Sequence, residues 1–119
     1  MAERRPERVG HLIQAELAAL FLRHTHDPRL HDVTVTAVRM SPDLRVARVY
    51  FRTLGGDEAR EPTQRALARA ATFLRGAVGR ALGLRVTPEL RFEYDTQPDT
   101  ARRLEDLLHG TVRDEDDES

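Results

Sequence analysis

The chain has 119 residues, 39% hydrophobic and 33% charged, with a formal net charge of −1. That length supports one domain with a core, and the composition is polar without being that of a disordered chain. There is no cysteine, which excludes disulfides, thiolate metal sites and cysteine nucleophiles.

Pro6 to about Thr25 reads as a helix, because Val9, Leu12, Ile13, Leu17, Leu20 and Phe21 recur at three- and four-residue spacing along one face. Glu16 falls inside that stripe and is expected at its edge or paired with an arginine. Asp27-Pro28 stops the helix, since the residue before proline avoids helical dihedrals and proline lacks a donor. Val33 to Met40 is rich in β-branched residues and reads as a strand. Ser41-Pro42-Asp43 supplies a turn. Arg45 to Thr53 is a second strand, with Ala47, Val49 and Phe51 on one face and Val46, Arg48, Tyr50 and Arg52 on the other. The two strands form an antiparallel hairpin.

Leu54 to Glu61 reads as a loop, and Pro62 fits the first turn of the helix that follows. Between Thr63 and Leu82 the apolar face is Leu67, Ala70, Ala71, Leu74, Val78 and Ala81. Phe73 lies off that face, which implies either an exposed aromatic or a break in helical phase near residues 70–73; the break is the more economical reading, because one bend returns the ring to the core. Gly83 is a C-cap. Val86 to Tyr94 is a third strand, in which Pro88 favours an edge position or a bulge. Asp99 to His109 reads as a short helix ahead of Gly110. The order helix, strand, strand, helix, bend, helix, strand predicts an α+β fold with helices on one face of a three-stranded sheet.

The small net charge conceals a polarity. Up to Phe92 there are 16 arginines against 10 acidic residues, and from Glu93 onward 3 arginines against 10. A basic body points to a polyanionic partner. The run Asp114 to Glu118 reads as a solvated acidic tail over residues 111–119, following a domain over residues 1–110. All 19 basic residues are arginine. Its planar fork grips phosphate bidentately, but a lysine-free composition also follows from codon usage in a GC-rich genome, so positions carry the argument. The opening residues MAERRPERVG are charged where a signal peptide needs an apolar run, and no stretch reaches the length of a membrane span. The expectation is a cytoplasmic protein with no membrane partner.

Three arginine sets are candidates for RNA binding. Arg4, Arg5 and Arg8 form a basic arm that can follow phosphates or simply fray. Arg29 projects from the Asp27-Pro28 corner, whose turn chemistry needs no ligand to explain it. Arg65, Arg69, Arg75 and Arg80 lie on the second helical region. There, Pro62 to Thr87 contains five arginines and no acidic residue, whereas a merely solubilising face mixes signs. Arg48, Tyr50 and Arg52 on one strand face can stack a base or pack across the sheet. His24 and His26 lack the further ligands zinc requires. No nucleophile, phosphate-cradling loop or isolated acid pair marks a catalytic site, so a non-catalytic protein without metal or cofactor is expected. The contrasting reading is a protein-interaction module that docks its acidic tail on a basic partner.

An ordered set of short motifs resembles the ribosome-binding factor A family. These are Arg8-Val9; Asp27-Pro28-Arg29-Leu30; Ser41-Pro42-Asp43-Leu44; Ala47-Arg48-Val49-Tyr50; Phe73-Leu74-Arg75; and Thr87-Pro88-Glu89-Leu90-Arg91-Phe92 with Tyr94-Asp95. The resemblance implies a type II KH-like fold in which the usual GXXG loop is replaced by an Ala-x-Gly interhelical kink. The matching positions are Ala70, Ala71 and Thr72, so threonine stands where the family has glycine. It also implies a protein that binds 16S rRNA in the immature 30S subunit, near its neck and the region around the 3′ end, assists late maturation and supports growth in the cold; a monomer is expected.

Overall fold

A computed structural model describes residues 5–23 and 27–96. Helix α1 spans Pro6–Arg23, a short α2 spans Pro28–His31, strands β1 and β2 span Val33–Met40 and Val46–Thr53, a 3-10 turn spans Gly56–Ala59, α3 spans Arg60–Leu82, and β3 spans Glu89–Tyr94. The sheet has three strands in the order β1-β2-β3. β1 pairs antiparallel with β2, and β3 pairs parallel with β2. The parallel pair requires a crossover, and α3 supplies it. This is the expected α+β, KH-like architecture.

The hairpin turn is built from side chains as well as backbone. The Ser41 hydroxyl donates to Asp43 Oδ1 at 2.7 Å and accepts from the backbone N–H groups of Arg45 and Val46 at 3.1 and 3.0 Å. Those bonds hold Leu44 at φ 64, the left-handed region that a branched side chain resists.

Core formation follows the two sequence periods. Ala47, Val49 and Phe51 are the inward residues of β2 and are fully buried. They meet Val9, Ile13, Leu17, Leu20 and Phe21 of α1 and Leu67, Leu74 and Val78 of α3 in one cluster. Burying each such side chain stabilises the fold by roughly 1.5–3 kcal/mol. Glu16 is half-buried, at the edge of the α1 stripe. The Tyr94 ring meets Phe51 edge-on at 5.5 Å, while the guanidiniums of Arg60 and Arg52 lie 5.1 and 6.0 Å from its centroid.

Gln14 donates to the Val35 carbonyl, and Gly10 approaches the Val38 carbonyl, so α1 runs antiparallel to β1. Gln64 donates to the Phe92 carbonyl, and Gly79 lies against Thr87, so α3 runs antiparallel to β3. The two helices are therefore antiparallel neighbours. The start of α1 and the end of α3 share the hairpin end of the sheet.

Two expectations are corrected. First, no break interrupts α3 at Ala70, Ala71 and Thr72: the helix is continuous from Arg60 to Leu82. Among the described residues, positive φ occurs only at Leu44, Gly56 and Gly83. Threonine resists the dihedral that a glycine supplies. Thr63, Ala66, Leu67, Leu74 and Val78 are buried on one helical phase across this stretch, so no bend is needed; Gly79 is buried off that phase, against Thr87. Phe73 consequently stays outside the core, 47% exposed, and Ala81 is exposed too. Second, β3 begins at Glu89 rather than Val86. Pro88 is buried just ahead of it, and Val86 is exposed in the preceding bend. A proline without a donor thus precedes the ladder instead of interrupting it. Gly83 ends α3 at φ 63, as a C-cap requires.

Candidate nucleic-acid interface

Arg65, Arg69 and Arg80 of α3 point away from the sheet because the other side of the helix carries the buried stripe. At 100° per residue Arg65, Arg69 and Arg80 fall within about 60° of each other and span roughly 22 Å of helix. Their strip is exposed along its length. The basic run from Pro62 to Thr87 is not wholly unpaired, however. Arg65 sits 3.6 Å from Glu61, one turn back. Arg69 reaches Asp27 Oδ2 at 3.4 Å. Both carboxylates lie outside the acid-free segment, which is why counting charges along it missed them. Exposed pairs of this kind contribute at most about 1 kcal/mol and yield readily to a phosphate. No carboxylate pairs with Arg80 among the described residues.

Asp27 organises the corner. Its Oδ1 accepts the Arg29 backbone N–H at 3.0 Å and caps α2. The same side chain lies 3.8 Å from the Arg29 guanidinium. One carboxylate therefore gathers Arg29 and Arg69 from two helices, and Arg65 follows one turn away. These three form a basic group at the N-terminal end of α3.

The remaining candidates are placed elsewhere. Arg75 lies about 120° around the helix from Arg69, and its guanidinium donates to the Thr87 carbonyl at 2.9 Å. It belongs instead to an open groove of about 990 Å³, lined by Asp43, Leu44, Arg45, Arg75, Arg85 and Val86 among others. Arg8 is exposed on the first turn of α1, at the hairpin end of the helical layer with Arg80. Arg5 is exposed just ahead of that helix. Arg4, His24, His26, the helix expected over residues 99–109 and the acidic tail lie outside the described residues.

On the open face of the sheet, Arg48 makes a two-point bond to Glu93 at 3.1 and 3.2 Å and lies 5.6 Å from the Tyr50 ring. Arg52 donates to the Asp95 carbonyl. Both side chains are engaged in packing across the sheet. Register adds a feature that no local motif showed: Arg39, Arg48 and Arg91 are direct partners across the three strands. Like charges opposite one another destabilise a sheet, so this row costs stability that Glu89 and Glu93 partly offset. Arg45 and Arg85 were likewise missed, because only the tertiary fold brings the hairpin turn to the α3–β3 loop. A pairing pattern for the strands was the signal that could have found the cross-sheet row.

Among the described residues no group of three or more histidine, aspartate or glutamate side chains could hold a metal ion. No helix there is long and apolar enough to cross a membrane.

The chain resembles solved structures of known proteins. The crystal structure of ribosome-binding factor A from Thermus thermophilus is 34% identical, with a TM-score of 0.63 over 72% of this chain and 91% of that one. A homology model of the Thermus thermophilus factor, fitted into a cryo-EM map of a 30S complex, is 33% identical, with a TM-score of 0.65 over 77% and 98%. A solution NMR structure of a Thermotoga maritima protein assigned as a ribosome binding factor A is 34% identical, with a TM-score of 0.61 over 82% and 96%. With residues 5–108 also matching the family model of ribosome-binding factor A, the chain belongs to that family.

Proposed function

We propose that this protein binds 16S rRNA in the immature 30S subunit and assists its late maturation without catalysis of its own. The observation that carries the reading is the exposed strip Arg65, Arg69 and Arg80 on a helix whose opposite face is locked into the core. In such an arrangement, phosphate contacts supply most of the affinity and fix the orientation. Family membership and the fitted 30S complex of the Thermus thermophilus relative support the target. The protein acts as a cytoplasmic monomer that leaves before translation, and its action supports growth at low temperature. A single KH-like domain over residues 1–110 does the binding, with residues 111–119 as an acidic tail.

Two measurements test this. The logarithm of the affinity for isolated 30S subunits should fall linearly with the logarithm of salt concentration, with a slope near −0.7 to −0.9 per phosphate neutralised. Replacing Arg65, Arg69 and Arg80 together by glutamate should abolish co-sedimentation with 30S subunits while the circular dichroism spectrum is unchanged. A triple variant that co-sediments normally would show that RNA meets a different face.

A further inference from the structure

We propose that Phe73 is a stacking platform for an unpaired base of the bound RNA, flanked by Arg69 and Arg80. The inference rests on the RNA-binding reading above and names what one part of that surface receives. Isolated exposed apolar side chains are ordinary, and the exposed Leu22, Leu54 and Val86 sit at a helix end, in a turn and in a bend. Phe73 differs from them in position. It lies mid-helix, on the arginine strip: about 40° around the axis from Arg69 and about 20° from Arg80, roughly 6 Å and 10 Å away along it. It is nearly half exposed although the buried stripe runs past it on both sides. Gly76 lies one turn beyond it. A Cβ there would stand 3.3 Å from Arg80 Nη1, so the Arg80 guanidinium is laid back along the helix over Gly76. An exposed ring on the same helix face as Arg80 and as Arg69, whose guanidinium is held by Asp27 at 3.4 Å in an exposed pair that yields readily to a phosphate, matches a splayed base and its neighbouring phosphates.

The chain has no tryptophan, so Phe73→Trp introduces a single reporter at the site. Two probes are used: purified 30S subunits and protein-free 16S rRNA. Phe73→Trp should bind both, with its emission quenched in each complex. Phe73→Leu keeps apolar bulk but removes the π-face, and should bind both about 5- to 150-fold more weakly at fixed salt, with the salt slope and melting temperature unchanged. Wild-type affinity for Phe73→Leu, with unquenched emission from Phe73→Trp, overturns the inference; if the arginine triple variant still loses binding, the RNA reading survives. Quenching by 30S subunits but not by protein-free rRNA means that a ribosomal protein covers the ring, which also overturns it. Salt-independent binding together with a neutral triple variant defeats the RNA reading and this inference with it.

Discussion

Replacing Asp27 with asparagine separates two roles held by one carboxylate. As a cap, Asp27 needs only Oδ1, which accepts the Arg29 N–H at 3.0 Å. Asparagine keeps that oxygen and is an equally good N-cap. As an ion-pair partner, Asp27 lies 3.8 Å from Arg29 and 3.4 Å from Arg69, whose side chains are 56% and 61% exposed. Such exposed pairs are worth between nothing and about 1 kcal/mol each, so Asp27→Asn should lower stability by less than about 2 kcal/mol. Asp27→Ala should lose about a further 1 kcal/mol with the cap. Binding should move the other way. A phosphate held by either arginine sits about 6 Å from the carboxylate, where repulsion in water is about 0.7 kcal/mol. Removing the charge should therefore tighten the affinity of the protein for 30S subunits about three-fold, with a smaller gain at high salt. Titration of labelled protein with 30S subunits at two salt concentrations reads this directly, alongside thermal melts of both variants. Unchanged or weaker binding by Asp27→Asn would place Arg29 and Arg69 away from the RNA.

Two other substitutions probe the scaffold. A Cβ at Gly79 collides with Thr87 Oγ1 but meets Thr87 Cβ at an ordinary 3.4 Å. Gly79→Ala should therefore cost about 1–3 kcal/mol in chemical denaturation, and adding Thr87→Ala should recover most of it; additive losses would show that the clash is not the cause. Asp43 is held below the usual carboxylate range, chiefly by the Ser41 hydroxyl and then by the Arg45 backbone N–H. A depressed folded value means that the ionised turn stabilises the fold above the ordinary range and that this contribution is lost as pH falls through the folded value. Asp43→Asn should accordingly show a shallower drop in melting temperature between about pH 5 and about pH 2.5. An identical drop would remove this turn from the acid response.

Local chemistry made most of the scaffold legible. β1 coincides with its predicted span and β2 starts one residue late, because alternation and β-branching are read within a few residues. The cap at Asp27 and the terminator at Gly83 are equally local, since each acts on backbone groups one turn away. The helical break expected in α3 does not occur, because Phe73 needs no burial. The stripe of Thr63, Leu67, Leu74 and Val78 already filled the space under the helix, and nothing forced the ring inward.

Sequence by itself therefore determined the strands and the two long helices, most of the core face of each and the basic character of α3, since all three depend on spacing along one chain. Tertiary structure decided which charges meet. Asp27 reaches Arg69 across 42 residues, Arg75 turns to the Thr87 carbonyl, and strand register aligns Arg39, Arg48 and Arg91. Electrostatic pairing acts through space over a few ångströms, and those distances exist only once the helices are seated on the sheet.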